Sequence, residues 1–316
     1  MPRLLALASS ILLAVSCFGD EFPSWAYAVA APGAKDPVDD GMPRHVPNST
    51  VSLTLKQYEA HKAPVPDWHP QEHPPMPRIA SVGHEPQVMA CGYCHLPNGA
   101  GRPENASLAG LTPAYIKQQI LDFRQDKRSG SEPRRGPQKT MIAIAKAVSD
   151  DEVAEAAAYF TSIKPQSFVT VVETDTVPKS YVAGAMLARI PGGGSEPLGY
   201  RIIEMPDDLG RAENRDSQTP YTAFAPIGSI KRGEALVMTG GGGKALQCIL
   251  CHGPELKGLG DFPRLAGRSP SYLMRQLYDF KAGTRTDVTG LMKVVVANLT
   301  QNDMVDISAY LSSRSP

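Results

Sequence analysis

Two stretches of the chain carry the same alternation of apolar and polar positions. Leu108 to Phe123 and Leu265 to Phe280 each begin with Leu-Ala-Gly and continue with a capping hydroxyl at Thr112 or Ser269. A proline follows at the first helical position, and then an amphipathic helix. The two copies stand 157 residues apart, and Arg128 and Arg285 continue the register. After a gap the correspondence resumes at an offset of 151, with Met141–Ser149 against Met292–Thr300. Terminal helices are then expected over Ser149–Phe160 and Thr300–Leu311, each opened by a hydroxyl followed three residues later by an acid, Glu152 or Asp303. An internal repeat of this kind predicts two similar helical domains.

Between the copies the pattern changes. Phe168–Glu173, Leu198–Glu204 and Tyr221–Pro226 read as strands, with a turn at Pro191-Gly192-Gly193-Gly194. These strands would either clamp both domains or offer a surface to a partner. Residues 31–80 are Pro-rich, densest at His69-Pro70-Gln71-Glu72-His73-Pro74-Pro75, and read as an extended wrapping arm or a flexible tail rather than a His-rich metal site, because the prolines prevent regular ligand spacing on one face. Leu4–Phe18 is an apolar run behind Arg3, too short to span a bilayer comfortably and followed by small residues at Ala26, Ala28 and Ala30. Residues 1–30 are therefore read as a signal peptide removed on export. Cys17 is a weaker lipoprotein candidate, because Ala14 stands where Leu is expected. The resulting division is a signal peptide at 1–30, the extension at 31–80, helical domains at 81–165 and 231–316, and a β-containing insert at 166–230.

Composition narrows the function. The 316 residues are 42% hydrophobic and 20% charged, a soluble, core-forming balance. Thirty-two Lys and Arg offset 32 Asp and Glu, so no global basic field points to nucleic acid. Gly240-Gly241-Gly242-Gly243-Lys244 resembles a phosphate loop, but Ala245 replaces the Ser or Thr that would reach magnesium.

The chemistry lies in the cysteines. Apart from Cys17 they form two pentapeptides, Cys91-Gly92-Tyr93-Cys94-His95 and Cys248-Ile249-Leu250-Cys251-His252. A disulfide across such a short span staples little, and a thioredoxin-like pair is single and needs no following His. Cys-x-x-Cys-His suits covalent haem. On one helical turn both thiols face the two vinyl groups of a porphyrin, and His95 or His252 points at the iron. Two haem c groups are expected.

Each iron then needs a second ligand. No histidine follows His95 except His252, and no cysteine is left over. Of 11 methionines, only Met141 and Met292 recur in register. The expected pairs are His95/Met141 and His252/Met292, the thioether favouring ferrous iron and raising the potential. Met89, Met274 and Met304 read as core or surface residues.

Together with the Tyr-x3-Gln-x3-Phe pattern (Tyr115, Gln119, Phe123; Tyr272, Gln276, Phe280), these features resemble class I cytochrome c domains. Two in one exported chain are similar to periplasmic dihaem cytochromes of the cytochrome c4 type. The likeness covers about half the chain. It implies a mainly α fold, two class I haem domains joined by the β-containing insert, and electron transfer. It also implies that a Pro carbonyl accepts the proximal His N–H, which Pro263 could do for His252. In the first domain Ala106 holds that place, so a rearranged loop and unequal potentials are expected.

With both axial sites filled, iron has no open position for substrate, which makes the chain a carrier rather than an enzyme. Its donor and acceptor would be redox proteins of the periplasm or membrane, such as a dehydrogenase, a quinol-oxidising complex or a terminal oxidase. Peripheral membrane association is a further expectation. A dihaem peroxidase would need a displaceable Met141 and help from His69, His73 or His84. A permanent subunit of a dehydrogenase would use the insert as its interface.

Overall fold

The computed structural model describes residues 21–31, 38–59, 64–84 and 86–316. The apolar run of the signal sequence, Cys17 and His61 lie outside them.

In chain order, the first part holds α1 (Leu55–Glu59), α2 (Arg78–Ser81), a small hairpin β1 (Gly83–His84) and β2 (Val88–Met89), and α3 (Cys91–His95). Three longer helices follow: α4 (Pro113–Arg124), α5 (Gly136–Ala147) and α6 (Asp150–Ser162). The insert contains β3 (Val169–Glu173), β4 (Thr176–Pro178), β5 (Ser180–Ala183), β6 (Met186–Arg189), β7 (Ser195–Pro197), β8 (Ile203–Pro206), α7 (Leu209–Glu213) and β9 (Tyr221–Ala225). The second helical unit comprises α8 (Ser229–Thr239), α9 (Ile249–His252), α10 (Pro270–Ala282), α11 (Leu291–Val296) and α12 (Gln301–Ser312).

The repeat is visible in the helix starts. Thr112 Oγ1 accepts from the Tyr115 N–H and Ser269 Oγ from the Tyr272 N–H, both at 3.2 Å, and each is followed by Pro at the first helical position. Helices α6 and α12 both open on full capping boxes, Ser149 with Glu152 and Thr300 with Asp303. Four orphan N–H groups at each start would otherwise lack partners.

The two units differ before the Cys-x-x-Cys-His turn. In the second, α8 lies tightly on α12, where an added Cβ at Gly233 would stand 2.0 Å from the Asp306 carbonyl oxygen. In the first, that place is held by the single turn α2 and the β1–β2 hairpin. Pro64, Pro66, Pro70, Pro74, Pro75 and Pro77 deny a long helix its N–H groups and its backbone angles.

The insert is richer in strands than its sequence pattern suggests. Three strands order as β3-β9-β8, with β3 parallel and β8 antiparallel to β9, and the hairpin β5–β6 and the pair β4–β7 add to them. The strand expected over Leu198–Glu204 begins only at Ile203.

Of the two roles considered for the insert, the packing is that of a clamp. Tyr200 Oη donates to Asp306 at 2.8 Å and Ser269 Oγ donates to Glu204 at 2.5 Å, on the second unit. Arg102 donates to the Ala212 carbonyl at 3.1 Å, on the first. The Pro-rich arm is fastened to it as well. Trp68 Nε1 donates to the Asn214 carbonyl at 2.7 Å, and buried His69 meets Asp216 at 3.0 Å.

The N-terminal segment departs from expectation. Ala26 and Tyr27, read above as part of the leader, lie in the core of the second unit with Phe22 and Trp25 packed beside them. Tyr27 is 4% exposed, its hydroxyl donates to Asp279 at 2.6 Å, and Arg275 donates to the Ala26 carbonyl at 3.0 Å. The small alanines that look like a cleavage consensus are compatible with close packing against α10, which sequence alone does not distinguish.

Candidate functional site

Helix α3 is a little over one turn long, so Cys91 and Cys94 at i and i+3 share a face and His95 follows beside them. All three line a cavity of about 810 Å³, together with Met141 from α5. That volume lies in the range of cofactor pockets. Its walls are apolar, with Ile116 and Phe123 from α4, Ile144 from α5 and Phe160 from α6.

The imidazole is held in one orientation. His95 Nδ1 donates to the Ala106 carbonyl at 2.8 Å, which leaves Nε2 with its lone pair. Phe160 stands edge-on to the ring, 6.4 Å between centroids. In the second unit His252 Nδ1 donates to the Pro263 carbonyl at 2.7 Å, and Phe262 stands edge-on at 6.1 Å. The loop rearrangement expected for the first unit is therefore absent. A backbone carbonyl accepts whatever its side chain, and the paired turns Arg102–Asn105 and Leu259–Phe262 give both loops the same path.

Burial holds both imidazoles below the ordinary histidine range, so they stand ready as neutral ligands. Burial also pushes the Cys91 thiol up to about 12 and Cys248 to about 11, which disfavours a reactive thiolate pair. All four cysteines are free of disulfides. At the second site, Cys248 and Met292 are half-buried against the same core, and Leu250 between the two cysteines is 61% exposed.

A haem c fits these residues. Three arginines that line the first cavity, Arg102, Arg135 and Arg268, are buried with an Nε that has no partner among the described residues. Buried guanidinium groups without full pairing are costly, and the two carboxylates of a haem would pair with them.

Of the sequence-expected residues, Cys91, Cys94, His95 and Met141 line the first cavity, and others line it too. Met89 is among them. From the insert come Tyr181, Met186 and Arg215, and from the second unit Tyr272 and Arg275. Arg215 packs its guanidinium 3.6 Å from the centre of the Tyr93 ring and donates to the Tyr93 carbonyl at 2.9 Å. No sequence signal marks Tyr181, Met186, Arg215 or Arg275, because they reach the site across more than 80 positions of chain. His69, His73 and His84 do not line the cavity; His84 instead pairs with Glu152 at 2.7 Å.

The two units meet about a pseudo-twofold. Arg128 donates to Tyr272 Oη at 2.8 Å and to Gln276 at 3.0 Å, while Arg285 donates to Tyr115 Oη at 3.1 Å and to Gln119 at 2.9 Å. These are the Tyr and Gln of the repeated pattern, and their spacing of four residues serves this exchange.

No family model matches the chain. It is similar to the thiosulfate dehydrogenase electron acceptor of Thiomonas intermedia, with 26% identity over 72% of this chain and 80% of that protein. Cytochrome c4 of Pseudomonas aeruginosa is 25% identical over 71% of this chain and 84% of its own length. Cytochrome c-554(548) of Halomonas halodenitrificans is 35% identical over 69 residues, which are 21% of this chain and 83% of that protein. Among solved structures, the thiosulfate dehydrogenase TsdBA of Marichromatium purpuratum superposes with a TM-score of 0.52 and 25% identity, over 75% of this chain and 39% of that one. With the repeated Cys-x-x-Cys-His turns and their oriented histidines, these likenesses establish that the chain belongs to the c-type cytochromes, as a dihaem electron-transfer cytochrome of the cytochrome c4 type.

Proposed function

We propose that the chain is a periplasmic electron carrier with two haem c groups, one in each helical unit, 81–165 and 231–316. Cys91 and Cys94 would attach the first, Cys248 and Cys251 the second. His95 with Met141, and His252 with Met292, would be the axial ligands. The haem supplies one-electron chemistry at iron. The chain's part is to orient each imidazole through the Ala106 or Pro263 carbonyl, to supply a thioether from Met141 or Met292, and to keep water away with apolar helices. The arrangement of Cys91, Cys94, His95 and Met141 around one cavity is the observation that carries this reading.

With His95 and Met141 holding one iron, and His252 and Met292 the other, no position would be left open for substrate, which supports a carrier over a peroxidase. The placement of His69, His73 and His84 away from the cavity lining supports it further. Relatives named as electron acceptors of thiosulfate dehydrogenase support a dehydrogenase as donor, and the proposal takes a terminal oxidase or reductase as acceptor. Among the described residues, no helix is long and apolar enough to cross a membrane.

Absorption spectra of the ferric, ferrous and carbon-monoxide-treated protein test the proposal. Two haems per chain, the far-red band of Met-ligated ferric haem and indifference to carbon monoxide are expected. A high-spin component, or one haem that binds carbon monoxide readily, would replace the carrier with an enzyme.

A further inference from the structure

Glu204 is a buried acid that the site described above does not use. It belongs to β8 of the insert, is 1% exposed, and meets the start of α10 in the second unit. Its Oε2 accepts from the Ser269 hydroxyl at 2.5 Å and from the Ser271 N–H at 3.2 Å. Its Oε1 has no partner among the described residues. Arg275, whose charge it feels, donates instead to the carbonyls of Ala26 and Pro103. Glu204 also lines a small cavity of about 30 Å³, room enough for a water. Arg102 lines both this cavity and the large one that holds Cys91, Cys94 and His95, so the two share a wall.

A carboxylate withdrawn from water without an ion pair favours its neutral form. Burial holds Glu204 above the ordinary carboxylate range, against the Ser269 and Ser271 donors and the Arg275 charge. The other charged or titratable groups that face it are Tyr221 from β9 and, across the small cavity, Arg102 and Asp216. Asp216 is taken by His69 and Arg211, and Arg102 by Glu104 at 3.2 Å. Arg189 of neighbouring β6 turns to Asp207 at 3.3 Å. Ser269 is only half-buried, and its hydroxyl links Glu204 to solvent.

Resting on the haem assignment above, we propose that Glu204 takes up a proton when the first haem site is reduced and gives it back on oxidation. Reduction removes one positive charge from the iron. The carboxylate across the shared wall loses that attraction, and a proton at Oε1 restores the balance. The electron comes from the donor protein and leaves to the acceptor, while the proton comes from water and returns to it. A unit charge at about 10–15 Å, with an effective dielectric near 20, changes proton affinity about tenfold. The chain thus moves a proton with its electron, through a residue of the insert rather than of either haem unit.

The test is a spectroelectrochemical titration of the holoprotein at a series of pH values, after a pyridine haemochrome count of haem. One wave should fall in potential as pH rises through a window above the ordinary Glu value of about 4.3. Glu204→Gln, which mimics the neutral acid, should hold that wave at its low-pH level across the window. Reduced-minus-oxidised infrared spectra should show a protonated-carboxyl band that the same substitution removes. A wild-type wave flat with pH, or a Glu204→Gln protein that keeps the wild-type slope or the band, overturns the proposal. Should Glu204→Gln fail to load haem, Ser269→Ala decides. It removes a donor that favours the ionised form, so the sloping window should move to higher pH, and an unmoved window overturns the proposal. Fewer than two haems per chain overturns the underlying assignment and the inference with it, and is seen before any potential is measured.

Discussion

His95 shows how little of a ligand's orientation depends on the side chain that supports it. Its Nδ1 proton goes to the carbonyl of Ala106, while His252 uses the carbonyl of Pro263, at 2.8 and 2.7 Å. The acceptor is backbone, so a proline ring is dispensable for the bond itself. Pro263→Ala is accordingly expected to leave haem loading and the ferrous spectrum unchanged. Stability should fall by about 0.4–1 kcal/mol in denaturant titration, because the unfolded chain gains freedom. Cys91, Cys94 and His95, and their counterparts Cys248, Cys251 and His252, stood out in the sequence because covalent attachment would fix their spacing within five residues. The arginines around them were not, because a guanidinium reaching from Arg215 to Tyr93 obeys no local period.

Elements add constraints that single residues do not show. Glycine inside a helix ordinarily costs about 1 kcal/mol against alanine, so Gly233→Ala would be stabilising on propensity alone. Here an added methyl would meet the Asp306 carbonyl oxygen at 2.0 Å, and overpacking of that kind costs about 1–3 kcal/mol. A net loss of stability, seen as a lower denaturant midpoint, is the expected result. The Pro-rich arm offers a pH-dependent counterpart. His73 meets Asp67 at 3.1 Å, and its other ring nitrogen lies 3.0 Å from the Tyr159 hydroxyl. Burial opposes the charged form, but the Asp67 bond and charge and the Pro74 carbonyl outweigh it and hold the pKa above the ordinary value. A group with a raised folded pKa stabilises most below its unfolded pKa near 6.5 and loses that contribution as pH rises through the folded value. Limited proteolysis of the arm should therefore quicken as pH climbs from about 6 into the alkaline range, and His73→Gln should flatten the dependence.

At the scale of the whole molecule, the N-terminal segment and the insert tie units that the repeat alone would leave as two similar halves. Tyr27 and Ala26 occupy the second unit's core, and the Arg275 that holds them also lines the first unit's cavity. If the chain is exported as proposed, the mature protein should keep residues 22–27. Intact-mass measurement of protein from the periplasm is expected to find them, and a chain beginning after Ala28 or Ala30 would contradict the packing. The two-sided role of the insert was left open by its strand pattern. Strand propensity says that a segment pairs, while the face it covers depends on what surface remains apolar once both helical units have formed.

The repeat, the paired Cys-x-x-Cys-His turns, the methionines in register and the capped helices were fixed by the sequence itself. Each depends on covalent spacing or on contacts within a few residues, and such contacts leave a period in the chain. Only the tertiary structure decided that Ala106 serves as well as Pro263, that Ala26 and Tyr27 pack in the second unit's core, and that the insert lines the first site's cavity. Those outcomes turn on which surfaces meet across more than 100 residues, and burial between distant segments carries no signature in their local order.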